Sequence, residues 1–146
     1  MPHQIDMIAQ RIAAMLLAFW AGSLVTVCAI VAPTLFAVLS DRQVAGQIAA
    51  RLFLIETIIG VVASACFLLA YAVNRIVADR RIAILVVLGA AAPLVSEVVL
   101  GPLMDSARRA GDMARFGALH GVSALLFGVA CVCAVSALWL FNRPAA

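Results

Sequence analysis

The fold is decided by stretches such as residues 116–142, which read FGALHGVSALLFGVACVCAVSALWLFN and contain no Asp, Glu, Lys or Arg. A run of this length exceeds the roughly 18 apolar residues that indicate a membrane-spanning helix. Three further apolar runs with few or no charges precede it, and short connectors that carry arginine residues separate the four runs. The four runs cover residues 12–39, 52–74, 82–104 and 116–142.

The connectors between these runs are short, at residues 40–51, 75–81 and 105–115. Short connections make successive helices antiparallel neighbours. We therefore predict an all-α integral membrane protein that forms a four-helix up-down-up-down bundle. The bundle is predicted to be a single transmembrane domain over residues 1–146, with helices at about 12–39, 48–74, 82–104 and 116–142.

The composition excludes several classes of protein. Hydrophobic residues make up 66% of the 146 residues and charged residues 12%, against about 45–50% and 25% in soluble domains. Four helices use nearly the whole chain and leave no length for a soluble catalytic domain. The net charge of +3 comes from arginines near the ends of the apolar runs, which is typical of headgroup anchors and not of a nucleic-acid-binding face.

The first apolar run is too long to be a cleaved signal peptide, whose apolar core has about 7–15 residues. We expect it to remain as a helix kinked at Pro33, with Pro93 as the corresponding kink in the third helix. Trp139 suits an interfacial position, and Trp20 suits either an interface or the interior. The orientation is not specified, because five arginines lie on each side of the predicted bundle.

Small residues recur at helical spacing in the first and fourth helices. Faces of small residues allow two membrane helices to approach closely. We expect these faces to lie on the inward sides of the two helices or to form a dimer seam. They comprise Ala14, Ala18 and Gly22 in the first helix and Gly117, Gly121, Ala124 and Gly128 in the fourth.

Three ionisable residues, Glu56, Glu97 and His120, lie inside the apolar runs. A charged acid at mid-helix costs about 2.5–3.5 kcal/mol on insertion scales, so such residues are candidates for function. In an up-down bundle the start of helix two, the end of helix three and the start of helix four share one side of the membrane. We therefore predict that the three side chains face the interior and share one polar layer. Residues at similar depth that could complete it are Thr34, Thr57, Ser96 and Ser123.

Several uses of this polar layer are open. Two carboxylates and an imidazole suit a divalent cation, and burial beside a like charge suits a proton relay. Alternatively, the glutamates pair with Arg51 or Arg115 at the headgroup boundary, and the histidine hydrogen-bonds across a helix contact. Haem would receive a single axial ligand from one buried histidine, so we expect no cofactor.

No pattern of a known catalytic site is present: the sequence has neither a nucleophile-base pair nor a Gly-rich phosphate loop nor a CxxC motif that stands out. The four cysteines lie inside apolar runs and are interpreted as small hydrophobic residues without a ligand role. We therefore expect no enzymatic activity. A membrane enzyme that uses haem or a quinone stays open as a third hypothesis, after transport or efflux and a scaffold role.

The motifs WAGS (20–23), VAPTLF (31–36), RQVAG (42–46), RLF (51–53) and FGALHGVS (116–123) resemble those of the transmembrane protein 205-like family. The resemblance implies a four-helix membrane protein without an established enzymatic activity, from the bacterial branch, and hence a multi-pass protein of a bacterial inner membrane. An animal relative is associated with resistance to platinum drugs. The motif positions in this chain are Gly22, Pro33, Phe36, Arg42, Gly46, Phe53, His120, Gly121 and Ser123.

The leading hypothesis is transport or efflux of a cation or a small soft electrophile by way of the polar layer, in a protein that forms a homo-oligomer. The alternative is a non-transporting scaffold or accessory subunit that docks other proteins through its small-residue helix faces. The lipid bilayer is the partner that the sequence indicates directly, whereas nothing in it indicates nucleic acid or a particular soluble partner.

Overall fold

The computed structural model describes residues 2–143, with the side chains of residues 7–143. No strand occurs among those residues. The prediction of an all-α bundle of four membrane-spanning helices is confirmed. Four stretches, which we call spans 1 to 4, are long and apolar enough to cross a membrane: Met7–Val38, Arg42–Ala72, Arg80–Arg109 and Met113–Phe141.

Eight helical segments follow one another along the described chain: α1 (Pro2–Thr26), π1 (Val27–Val31), α2 (Ala32–Val38), α3 (Arg42–Ala72), α4 (Arg80–Val95), π2 (Ser96–Leu100), α5 (Gly101–Arg109) and α6 (Met113–Phe141). Span 1 consists of α1, the π-helical turn π1 and α2. Span 3 consists of α4, the π-helical turn π2 and α5. Spans 2 and 4 are the uninterrupted helices α3 and α6.

Aspartate side chains start the last three spans. Asp41 accepts hydrogen bonds from the backbone N–H groups of Gln43 at 2.8 Å and Val44 at 3.2 Å. Asp79 and Asp112 cap α4 and α6 in the same way, through one N–H group each. Such caps satisfy backbone donors that have no partner within the helix. The Asp41 cap explains why α3 begins well before its predicted start near residue 48.

The helices extend past the apolar runs because a helix continues into the headgroup region, where charged side chains are solvated. Span 3 was predicted to end near residue 104 but continues to Arg109, and span 4 begins at Met113. Gly111, with a φ of +74°, lies in the short turn between them, a conformation that favours glycine. Hydropathy therefore located the parts of the helices inside the hydrocarbon and missed their ends.

Both π-helical turns precede a proline at the same spacing. Ala32 and Pro33 follow π1, and Gly101 and Pro102 follow π2. A proline lacks an N–H group and its ring displaces the carbonyl four residues earlier, so a wider turn relieves the crowding. The irregularity predicted at Pro33 is therefore found just ahead of it. In span 3 the irregularity precedes Pro102, while Pro93, its predicted site, is buried inside α4.

The second connector is tied to the first span by two reciprocal hydrogen bonds. Gln10 Nε2 donates to the Val77 carbonyl oxygen at 3.1 Å, and the Val77 N–H donates to Gln10 Oε1 at 3.0 Å. The connector between α3 and α4 therefore lies beside the start of span 1, as an up-down-up-down arrangement requires. The first and third connectors lie at the opposite end of the bundle.

The interior is organised around Trp20 of α1, which is 1% exposed. Gly60 of α3 and Gly89 of α4 leave room for its indole ring. A Cβ atom on Gly60 would lie 2.8 Å from Trp20 Nε1, and one on Gly89 would lie 3.0 Å from Trp20 Cη2. Of the two positions considered for Trp20, the interior is the correct one. Trp139 is exposed near the end of α6.

Most members of the predicted small-residue faces lie on the outside of the bundle. Their expected inward position is therefore wrong, and the alternative, a dimer seam, stays a prediction. α6 packs inward through a different small face, which carries Ala130, Ala134 and Ala137, all fully buried. Because both faces of α6 are small and apolar, the spacing of small residues does not distinguish them. The exposed members of the predicted faces are Ala18, Gly22, Gly117, Gly121, Ala124 and Gly128.

Candidate functional site

Glu56 is the most deeply buried of the three predicted site residues, at 5% exposed. It lies about 21 Å along α3, at a rise of 1.5 Å per residue, in a helix of 31 residues. It is therefore near the middle of span 2, whereas the prediction placed it near the start of helix two. Ser23 Oγ of α1 donates a hydrogen bond to Glu56 Oε2 at 3.0 Å. The α1–α3 contact thus contains a carboxyl group with a hydroxyl partner.

Ser23 has one hydroxyl proton for two acceptors. Its Oγ also lies 3.2 Å from the backbone carbonyl oxygen of Trp20, and rotation of the hydroxyl moves the hydrogen bond from one acceptor to the other. An ionised Glu56 would hold the bond more strongly, because a charge-assisted hydrogen bond is stronger than a neutral one. Sequence reasoning did not identify Ser23 as a site residue, although Ser23 belongs to the WAGS motif.

Glu97 lies in π2 and is half-buried. Its neighbour Ser96 is 2% exposed and shares a hydrogen bond with Ser123 of α6, with an Oγ–Oγ distance of 2.6 Å and either hydroxyl able to donate. This pair joins span 3 to span 4. Ser96 and Ser123 were both expected in the polar layer, and the structure brings them together.

The two threonines expected in the same layer bond to their own helices. Thr57 Oγ1 donates to the Phe53 carbonyl oxygen at 2.9 Å, and Thr34 Oγ1 donates to the Ile30 carbonyl oxygen at 2.6 Å. Threonine within a helix commonly bonds to the carbonyl four residues earlier. Neither side chain therefore needs a partner on another helix.

His120 is exposed on the outside of α6, so the prediction that it faces the interior is wrong. Its imidazole is stacked with the Phe116 ring, with centroids 6.0 Å apart and planes 8° from parallel. The Arg108 guanidinium of α5 lies 4.6 Å from the centroid of the same phenylalanine ring. His120 is thus part of an aromatic and basic group at the boundary of the bundle.

The three predicted site residues do not form one cluster. Within residues 2–143, no three side chains of His, Cys, Asp or Glu lie close enough together to hold a metal ion. Glu56 has Ser23 as its partner, Glu97 lies in π2 beside the Ser96–Ser123 pair, and His120 faces outward. The predicted divalent-cation site made by all three is therefore not formed. The functional role of Glu56 by itself stays a prediction.

The cysteines divide into different environments, and in the part of the chain that the structure describes all four are free thiols. Cys133 is buried, and its Cβ atom would lie 3.2 Å from a Cβ atom added to Gly89. Cys66 is exposed on α3. Cys28 of π1 and Cys131 of α6 are half-buried.

Cys28 of π1 and Cys131 of α6 lie near each other where span 1 contacts span 4, and Glu56 of α3 lies near both. Two thiols and a carboxyl group from three different spans thus lie in the same region of the bundle, without forming a three-ligand metal site. Sequence reasoning had assigned the cysteines no ligand role. No local motif indicates this pair, because spans 2 and 3 separate Cys28 from Cys131 along the chain.

The chain belongs to the family described as Domain of unknown function (DUF4149), whose profile matches residues 15–113. The matched segment includes most of span 1, all of spans 2 and 3, and ends where α6 begins. No curated protein and no solved structure matches the chain significantly. Family membership agrees with a membrane protein of unestablished activity. The resemblance to the transmembrane protein 205-like family stays a prediction.

Proposed function

We propose that this family member moves or binds a cation within a bacterial inner membrane, at the contact between α1, α3 and α6. The observation that carries the proposal is Glu56, a carboxyl group near mid-span that is 5% exposed. Ionisable groups at this depth are costly in their charged form and mark ion pathways or proton relays in membrane proteins. Ser23 supports the group by donating to it.

The neighbouring thiols indicate the class of cation. Cys28 and Cys131 lie near each other and near Glu56, and two soft sulfur ligands favour soft cations such as Cu(I). The Glu56 carboxylate would offset the positive charge that such an ion brings into the membrane. The same thiols would react with a small soft electrophile. Both substrates proposed from the sequence, a cation or a small soft electrophile, therefore fit Cys28, Cys131 and Glu56 better than a site that includes His120.

The geometry of span 1 supports movement at this point. Cys28 lies in π1, ahead of Pro33, where the helix departs from regular α-helical hydrogen bonding. π-helical turns within α-helices are frequent at functional sites. A shift of this turn would move Cys28 relative to α6. Ser23 would then change its acceptor between Glu56 and the backbone.

Flux of Cu(I) into proteoliposomes loaded with a Cu(I) chelator tests this proposal. We expect Glu56→Gln and Cys28→Ser each to lower the flux at least about tenfold, as the loss of groups around metal sites commonly does. Cys66→Ser is the matched thiol control, because Cys66 is exposed on α3, and it should leave the flux unchanged. Unchanged flux in Glu56→Gln, or an equal loss in Cys66→Ser, would contradict the proposal.

A second candidate function, helix docking, is favoured by the outward small-residue face of α6. The face, made by Gly117, Gly121, Ala124 and Gly128, is exposed over its whole length. Small residues at this spacing let another membrane helix approach closely, so a homo-oligomer or an accessory subunit would assemble here. The mass of the detergent-solubilised protein and its content of bound metal separate the two functions. A metal-free oligomer supports docking, and a metal-bearing monomer supports the cation site.

A further inference from the structure

The end of α6 near Arg143 carries two shallow depressions that the proposed function does not use. Both include Val135 and Trp139 in their lining. At about 100° per residue, Leu138 and Asn142 fall on one side of the Val135–Trp139 row and Ser136 and Leu140 on the other. The first has a volume of about 450 Å³ and is lined by Val135, Leu138, Trp139, Asn142 and Arg143. The second has a volume of about 380 Å³ and is lined by Val135, Ser136, Trp139 and Leu140.

The depressions face the lipid, because Val135 is 47% exposed and Trp139 is 65% exposed. α6 has 29 residues and is about 43 Å long, whereas the hydrocarbon core is about 30 Å thick. A centred α6 therefore passes the hydrocarbon boundary by about 7 Å at each end. This places Val135 close to that boundary and Arg143 at the level of the headgroups.

The polar groups at this end are held in place. The Arg143 guanidinium lies 5.5 Å from the centroid of the Trp139 ring, within the range of a cation–π interaction. Asn142 Nδ2 donates a hydrogen bond to the Leu138 carbonyl oxygen at 2.8 Å. A positive charge thus stands at the edge of a largely apolar surface depression.

We infer that this end of α6 binds an anionic glycerophospholipid, with its phosphate at Arg143 and its two acyl chains running from the level of Trp139 past Val135 into the hydrocarbon. The charge is complementary, since Arg143 attracts a phosphodiester and would repel the cationic group of a zwitterionic headgroup. The shape is complementary to a two-chain lipid, because the two depressions share the Val135–Trp139 row and their other lining residues extend to both sides of it. A second helix packed against this surface would need a continuous groove, and the exposed Trp139 ring interrupts such a groove.

Lipid retention after reconstitution tests the inference. The full chain is reconstituted into vesicles of equimolar dioleoyl phosphatidylglycerol and dioleoyl phosphatidylcholine, extracted in mild detergent, and examined by native mass spectrometry. We expect phosphatidylglycerol to be retained over phosphatidylcholine by about fivefold, the effect of one basic residue near an anionic headgroup. Arg143→Gln should make the retention of the two lipids equal. Val135→Trp, which fills both depressions, should lower the retention of both lipids.

Arg108→Gln is the matched control, because it removes the same charge from a guanidinium that also lies over an aromatic ring, at the other end of α6. We expect this variant to keep the preference of the wild-type protein. Three results would overturn the inference: an unchanged preference in Arg143→Gln, an equal loss in Arg108→Gln, or wild-type retention in Val135→Trp. Arg143 and Val135 are outside the packed interior, so thermal unfolding should confirm that all variants fold.

Discussion

Two sets of glycines in this protein have opposite surroundings. Gly60 and Gly89 face the Trp20 ring, and a Cβ atom on either would lie within about 3 Å of it. Gly117, Gly121 and Gly128 of α6 are exposed on the outside of the bundle. Both sets stand in apolar helices, and both suit close helix approach.

The difference shows that a small residue marks a position where a bulky group can pack closely against the helix. The small residue does not indicate whether that group is a side chain of the same bundle or another helix. At Gly60 and Gly89 the large group is an aromatic ring of the same chain. On the outer face of α6 the bundle itself supplies no such group within the described residues. Variants that disturb the two sets should therefore act on different properties, folding in the first set and assembly in the second.

The largest effect is expected from Trp20→Ala, which empties the space that Gly60 and Gly89 provide. Trp20 is 1% exposed, and truncation of a buried aromatic side chain typically costs about 3–5 kcal/mol. The free energy of unfolding in detergent, measured by denaturant titration, should fall by that amount. Trp139→Ala is the control, because Trp139 is 65% exposed and its removal should change the free energy far less.

A smaller loss is expected from Gly60→Ala. Its Cβ atom would lie 2.8 Å from Trp20 Nε1, and overpacking of an interior commonly costs about 1–3 kcal/mol. Gly128→Ala, on the exposed face, should have no such penalty. The loss at Gly60 should disappear in a Trp20→Ala background, which a double-mutant cycle measures. An equal loss with and without the indole would show that Trp20 is not the cause.

Ser96→Ala should cost less again. It removes the 2.6 Å hydrogen bond between Ser96 and Ser123 that joins span 3 to span 4. Hydrogen bonds between membrane helices average about 0.6 kcal/mol in double-mutant cycles, so the free energy of unfolding should fall by about that much. Ser106→Ala, at an exposed position of α5, is the control. If Ser96→Ala lowered the free energy of unfolding more than Gly60→Ala does, the expected order, in which packing contributes more than this hydrogen bond, would be wrong.

The smallest effect on stability is expected from Gly121→Leu, because Gly121 is exposed. The free energy of unfolding should stay within about 0.5 kcal/mol of the wild-type value. If the outer face of α6 docks another helix, the same substitution should shift the detergent-solubilised mass to that of a monomer. Val129→Leu, also exposed on α6, should leave the mass unchanged. An unchanged mass in both variants would exclude this face as the interface.

Much of the fold was predictable, because runs such as residues 116–142 have one physical solution in a membrane. The ends of the helices were less predictable, since hydropathy does not register a cap. Asp41, Asp79 and Asp112 each begin a span by accepting backbone N–H bonds. The prediction had considered only the arginines of these connectors. Reading them as caps would have placed the starts of spans 2 to 4 correctly.

The candidate site was predictable in part. Glu56 was correctly expected in the interior, because a carboxyl group is costly to expose to lipid. His120 was placed on the wrong side, since its glycine neighbours were taken to mark the inward face. Ser23 and the Cys28–Cys131 contact were missed, because each depends on residues from two helices meeting. Neither contact has a sequence spacing that would indicate it.

The sequence by itself determined that the chain crosses the membrane four times, because each backbone N–H and C=O group in the hydrocarbon must be satisfied within a helix and the length of that helix must match the bilayer. Only the tertiary structure decided which face of each helix lies inside. In water, polar residues would mark the outer face, but in lipid both faces are apolar and the sequence pattern loses that contrast. Packing around Trp20 made the choice, and it left the small-residue face of α6 on the outside.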